Sequence, residues 1–138
     1  MAGDEAGQSA RGLILIVEDN ELNLKLLEDV LEYHGYATVV TGLGEAAIQL
    51  AREHRPDLIL LDIQLPDIDG TEAARRLKAD PRTRAIPIVA VTAFAMPGDR
   101  AKILASGCDA YVAKPIRIVE FLELVARHID EPEAEPTR

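Results

Sequence analysis

The chain lacks most of the features that mark out specialised protein classes. Cys108 is its only cysteine, so no internal disulfide can form; this fits a reducing compartment, and a small buried residue is the plain reading of that thiol. Aromatic residues make up 4% of the sequence against a hydrophobic fraction of 48%, so the interior must be built from aliphatic side chains. Positive charge is scarce, with 15 Lys and Arg against 24 Asp and Glu and a formal net charge of -9. Nothing here supplies a clustered basic face for a nucleic-acid backbone, although one or two lysines could still serve a small anion. No run approaches the roughly 18 apolar residues of a membrane span. The opening MAGDEAGQSARG has acids where a signal peptide needs a basic start and an apolar stretch. The expected location is the cytoplasm, with neither membrane nor nucleic acid as a partner. A P-loop is excluded because GxxxxGK[ST] is absent. His34, His54 and His128 fall in helical stretches without metal-ligand spacing and read as surface or edge residues.

What is present suits one domain. At 138 residues the chain can bury a core without a disulfide or structural metal. Residues 1–11 are polar, small and without pattern, and are expected to be a flexible lead. Residues 130–138, DEPEAEPTR, are expected to be a disordered acidic tail, leaving a domain over 12–129. Between the ends, short apolar runs alternate with amphipathic stretches. Strands are expected at Leu13–Val17, Ala37–Val40, Asp57–Leu61, Ile86–Val91 and Asp109–Ala113. Helices are expected from the Asn20 cap to about His34, and over Glu45–Glu53, Ala73–Lys78, Gly98–Leu104 and Ile118–Ile129. Gly35 and Gly107 are the left-handed stops of the first and fourth. Five strands, each followed by a helix, imply a parallel α/β sheet covered on both faces. Right-handed crossovers limit it to a few doubly wound forms, whose ligands sit beyond the carboxyl ends of the strands.

Those strand ends carry the chemistry. The first apolar run stops at Glu18-Asp19, the third (Leu58-Ile59-Leu60-Leu61) at Asp62, the fourth at Thr92, and the fifth is followed by Lys114. One acid after a strand is an ordinary turn or cap residue. Four of five strands delivering polar groups to one rim is not ordinary. Three crowded carboxylates raise one another's pKa unless a cation shares the site, and oxygen-only ligands point to Mg²⁺. A metal, an ammonium and a hydroxyl suit a phosphoryl group. With no Ser, Cys or His at the rim, the nucleophile has to be a carboxylate, and Asp62 ends the most apolar strand.

VEDN (17–20), LLDIQLPDIDG (60–70), VTAFA (91–95) and AKP (113–115) together resemble a response-regulator receiver domain over roughly residues 13–129. VEDNELN, DLILLDIQLP and VTAFAM most resemble the stand-alone, single-domain regulators of cell-division and polar-differentiation pathways. The resemblance implies a flavodoxin-like sheet of order 2-1-3-4-5. It implies an acidic pocket of Glu18 and Asp19, with Asp19, Asp62 and the Gln64 backbone carbonyl holding Mg²⁺. Asp62 would accept phosphate from a phosphohistidine, Thr92 would move toward it, Lys114 would ion-pair with it, and Tyr111 would be the aromatic switch. It further implies a cis Lys114-Pro115 bond, which sequence alone would grant in only ~5–6% of such bonds. Catalysis would be confined to the chain's own aspartyl phosphorylation and slow dephosphorylation. Partners would be a sensor histidine kinase or histidine phosphotransfer protein, and downstream a kinase or cyclic-dinucleotide synthase; a monomer or weak dimer is expected. Phe94, two after Thr92, is expected to screen the phosphoryl group from water.

On the first helix Leu26, Leu27, Val30 and Leu31 form one arc, flanked by Leu22 and Leu24. A broad buried face and a kinase-docking patch explain these equally well. The fourth helix, bracketed by glycines, is expected to be weakly held. Three rival readings remain. Gly42-Leu43-Gly44-Glu45-Ala46-Ala47 has the form of a dinucleotide fingerprint, but that leaves Glu18, Asp19, Thr92 and Lys114 unexplained. A Mg²⁺-dependent phosphohydrolase would commonly have an acid where Gln64 stands. A phosphorylation-independent adaptor of the same fold would not need the complete site.

Overall fold

The computed structural model describes residues 10–93 and 96–130. The expected lead and tail therefore lie largely outside the described residues, as does Phe94. Along the chain run β1 (Leu13–Val17), α1 (Glu21–Tyr33), β2 (Ala37–Thr41), α2 (Gly44–His54), β3 (Leu58–Asp62), α3 (Gly70–Ala79), β4 (Ile88–Thr92), α4 (Pro97–Ala105), β5 (Ala110–Ala113) and α5 (Ile118–Asp130). All four strand pairings are parallel and the order is β2-β1-β3-β4-β5.

Strand alternation sorts the core into two layers. Leu15, Val17, Ile59, Leu61, Ile88 and Ala90 face α2, α3 and α4, where they meet Ala47, Ala51, Ala74, Leu77 and Ile103. Ile14, Ile16, Leu58, Leu60, Val89 and Val91 face α1 and α5, against Leu27, Leu31, Phe121 and Val125. β3 and β4 are buried along their whole length, which is why they read as unbroken apolar runs. Each fully buried Leu or Ile contributes roughly 1.5–3 kcal/mol, so this double layer fixes the rim to which the site belongs.

Several boundaries differ from expectation for local reasons. β4 starts at Ile88 rather than Ile86 because Pro87 has no N–H; its carbonyl still accepts the Ile59 N–H at 3.0 Å. α3 starts at Gly70, not Ala73, with Asp69 accepting the Thr71 N–H at 2.8 Å. Asp57 precedes β3, and its carboxylate accepts the Leu13 N–H at 2.8 Å. Gly35 and Gly107 adopt the expected positive φ, while α2 ends on a left-handed residue that is not glycine, Arg55. On α1 the single arc does not hold. Leu27 and Leu31 are buried and Leu24 packs on the core, whereas Leu26 is 49% and Leu22 82% exposed.

Candidate functional site

Register and alternation assemble the site. Val17 pairs with Leu61, so one step further Glu18 lies beside Asp62. Glu18 continues the Ile14, Ile16 series and Asp62 the Leu58, Leu60 series, so both carboxylates share the α1/α5 side of the rim. Lys114 continues the Ala110, Val112 series to that same side. Thr92 follows Ala90 and has the opposite parity, toward α4, and its carbonyl accepts the Lys114 N–H at 2.8 Å.

The side chains meet as this requires. Lys114 Nζ lies 3.1 Å from Glu18 Oε1 and 3.3 Å from Asp62 Oδ2. Glu18, Asp19 and Asp62 offer oxygens that all lie within 4.8 Å of one another. Glu18, Asp62 and Thr92 are almost fully buried, while Asp19 is exposed and opens the cluster to solvent. Asn20 donates its N–H to Glu18 Oε2 at 3.1 Å and caps α1 by accepting the Asn23 N–H at 2.9 Å. Gln64, expected to offer its carbonyl, donates its N–H to Asp62 Oδ1 at 3.0 Å. The Lys114-Pro115 bond is cis, as expected. Tyr111 is half-buried on β5, packed on the core, with Arg100 Cζ 5.2 Å from its ring centroid.

Electrostatics favour a shared cation. Burial, reinforced by Asp62, pushes the Glu18 carboxyl above its ordinary range although the Asn20 N–H works against this. Burial also opposes the Lys114 ammonium, but Glu18 and Asp62 overcome it and raise its pKa. Three carboxylates facing one ammonium leave two negative charges unmatched, which one Mg²⁺ would balance. The buried Glu18 Oε1 makes an ion pair but no hydrogen bond among the described residues, so it retains acceptor capacity for an ion or its water. The donor set fits a hard divalent cation.

Sequence reasoning missed two features of this rim. A Cβ on Gly70 would stand 2.5 Å from the Asp62 carbonyl oxygen and 2.6 Å from Ile63 Cα, so glycine is what lets α3 begin against the acceptor strand. The second is Asp67, whose carboxylate takes the Gly44 and Glu45 N–H groups at 2.8 and 2.9 Å. Those are amides that the dinucleotide reading of Gly42 and Gly44 needed for a pyrophosphate, and a carboxylate from the chain itself occupies them. In the sequence, only the Asp67 and Asp69 carboxylates ahead of Gly70, in the loop after Asp62, hinted at either feature.

Residues 14–126 match the response regulator receiver domain family. Over 118 residues the chain is 52% identical to the polar-differentiation response regulator DivK of Brucella anthropi, covering 86% of this chain and 96% of that one. DivK of Brucella ovis is 51% identical over the same coverage. The receiver domain of a sensor histidine kinase from Pseudomonas aeruginosa PAO1, crystallised with magnesium coordinated in its active-site cleft, has 38% identity and a TM-score of 0.81, covering 87% of this chain and 98% of that one. The chain belongs to the response regulator receiver domain family: signalling proteins that take phosphoryl groups from histidine kinases, not enzymes in the ordinary sense. Among the described residues no helix is long and apolar enough to cross a membrane.

Proposed function

We propose that the domain, over residues 12–129, accepts a phosphoryl group on Asp62 from the phosphohistidine of a sensor kinase or phosphotransfer protein, with Mg²⁺ as cofactor. Asp19, Asp62 and the Gln64 carbonyl would hold the ion, with Glu18 behind them. When bound, Mg²⁺ neutralises the phosphoryl oxygens as charge builds on them. An Asp62 carboxylate oxygen attacks phosphorus, the P–N bond breaks, and the departing imidazole nitrogen retains its lone pair and takes a proton. Lys114 holds the positive charge beside the acceptor, and Thr92 supplies a hydroxyl toward α4. The observation that carries this reading is Lys114 Nζ at 3.1 and 3.3 Å from two carboxylates in a three-carboxylate cluster. Loss of the ammonium would strand two buried carboxylates, at about 3–5 kcal/mol. A phosphorylation-independent adaptor would have no need of this ammonium and carboxylate cluster. Catalysis then stops at the chain's own phosphorylation and its slow reversal, and the setting is the cytoplasm.

Leu22 and Leu26 stand one helical turn apart, both exposed, on the helix that begins two residues after Asp19. They form the kinase-docking patch; Leu24, half-buried on the core, does not. The switch then passes from Thr92 to Tyr111, and α4, β5 and α5 present it to a downstream kinase or cyclic-dinucleotide synthase, the domain acting as a monomer or weak dimer. The test is incubation with a radiolabelled phosphorylated histidine kinase, with and without Mg²⁺. Base-labile label that needs Mg²⁺ and vanishes in Asp62→Asn is expected; equal labelling of Asp62→Asn contradicts the assignment. Joint replacement of Leu22 and Leu26 by Ala should slow this transfer while sparing phosphorylation by acetyl phosphate.

A further inference from the structure

We propose that Asp67 is a positioning residue for the metal site: by capping α2 from the β3–α3 loop, it fixes where that loop presents the Gln64 carbonyl to a divalent cation. The inference rests on the Mg²⁺ reading above. A helix leaves its first N–H groups without partners inside the helix, and a side-chain oxygen at the cap position normally takes one. At that position α2 has Leu43, which makes no side-chain cap bond. The acceptors come from Asp67 instead, 23 residues further along the chain from Gly44: Oδ1 takes the Gly44 N–H at 2.8 Å and Oδ2 the Glu45 N–H at 2.9 Å. A carboxylate at the positive end of the helix dipole is favoured there. The Glu45 and Gly44 N–H groups hold the Asp67 carboxyl below the usual carboxylate range.

The same loop is joined to α2 by packing. A Cβ on Gly44 would lie 2.6 Å from Ile68 Cγ1 and 3.3 Å from Leu65 Cδ1, so the loop's apolar side chains fill the space beside the first turn. From α3, Arg76 reaches Glu45 at 3.1 Å. The segment leading into α2 is tied in turn to the acid pair, since the Thr41 carbonyl accepts the Glu18 N–H at 2.9 Å. These contacts close a ring: the acid pair, residues 41–45, Asp67, Gln64, Asp62. The sheet alone places Glu18 and Asp62. Gln64 lies beyond the end of β3, exposed, and its N–H is anchored to Asp62 at 3.0 Å. Its carbonyl can be a defined ligand only if the loop is also held from its far side, and Asp67, three residues on, provides that hold. Asp67 acts through the loop and is not itself among the proposed ligands.

The test is the Mg²⁺ dissociation constant by calorimetry for the wild type, Asp67→Ala and Asp67→Asn, with amide exchange at residues 44, 45 and 64 and a urea midpoint for each. Asp67→Ala should weaken Mg²⁺ binding roughly 10-fold, the low end of what losing an outer-shell partner costs. Asp67→Asn should fall between, because one neutral oxygen accepts in place of two charged ones. Faster exchange at residues 44, 45 and 64 should accompany the loss. Val125→Ala, on the opposite layer, serves as a variant that loses stability without touching the loop, and its Mg²⁺ affinity should match the wild type. A purely structural Asp67 would lower the urea midpoint and leave Mg²⁺ affinity unchanged, which overturns the inference; if Asp67→Ala does not fold, Asp67→Asn decides by the same criterion. A wild type that binds no Mg²⁺ would sink the underlying reading as well, so the two failures are distinguishable.

Discussion

Helices α3 and α4 each follow a strand that ends in a site residue, Asp62 and Thr92, yet they are held very differently. α3 buries Gly70, Ala73, Ala74 and Leu77, is capped at its start by Asp69, and is pinned at its end. There Lys78 donates to the Arg84 and Ile86 carbonyls at 3.2 and 2.9 Å and pairs with Asp109 at 3.2 Å. α4 buries one residue, Ile103, and its cap position is Met96, which makes no side-chain cap bond. On the proposed reading, the element behind the acceptor has to stay still so that metal ligands keep their spacing. The element behind Thr92 would have to move when a phosphoryl group arrives, and few buried contacts make movement inexpensive. Chemistry and response would thus be divided between two neighbouring strand–helix units.

The comparison predicts unequal consequences for matched substitutions. Leu77→Ala, at a fully buried position of α3, should cost about 2–5 kcal/mol in urea unfolding. Leu104→Ala, at a 46% exposed position of α4, should stay within about 0.5 kcal/mol. Similar losses at both would break the contrast. Glycines in the two first turns sharpen it. Gly70→Ala should destabilise by about 1–3 kcal/mol and weaken phosphorylation, because its methyl meets Asp62 and Ile63 backbone. Gly98→Ala meets nothing within 4 Å and should be neutral or stabilise by up to about 1 kcal/mol.

A smaller effect is expected at the C-cap of α3. The Arg82 N–H, the Arg82 guanidinium and Arg52 hold the Asp80 carboxyl far below the usual range. A depressed carboxylate pKa contributes stability that is complete above the unfolded value of about 3.9 and is lost as pH falls toward the folded one. Acidification below that value should therefore loosen this end of α3 first, read by amide exchange. Asp80→Asn should remove that part of the acid dependence; an unchanged acid limb in the variant would contradict it.

How much of this was legible beforehand follows from where the physics is local. β1 and β3 are continuous aliphatic runs, so burial on both faces could be read directly, and with it the delivery of Glu18, Asp19 and Asp62 to one rim. The Asn20 cap and the Gly35 stop were equally plain, because each acts on its own helix end. Features that depend on distant residues were hidden. Leu43 gives no sign that Asp67 caps α2, and Gly70 reads as a helix breaker until its distance to Asp62 is known. Arg55 in the left-handed region ends α2 where glycine would be looked for. On α1, periodicity alone left a buried face and an exposed patch equally open, and only the packed structure shows Leu27 and Leu31 buried and Leu22 and Leu26 exposed.

The most direct test of the central claim is mass-spectrometric mapping of the acyl phosphate after treatment with acetyl phosphate and Mg²⁺. A phosphoryl group on Asp62, formed only with the metal present, is the predicted result. The same modification on Asp19 or elsewhere, or on Asp62 without Mg²⁺, would contradict it.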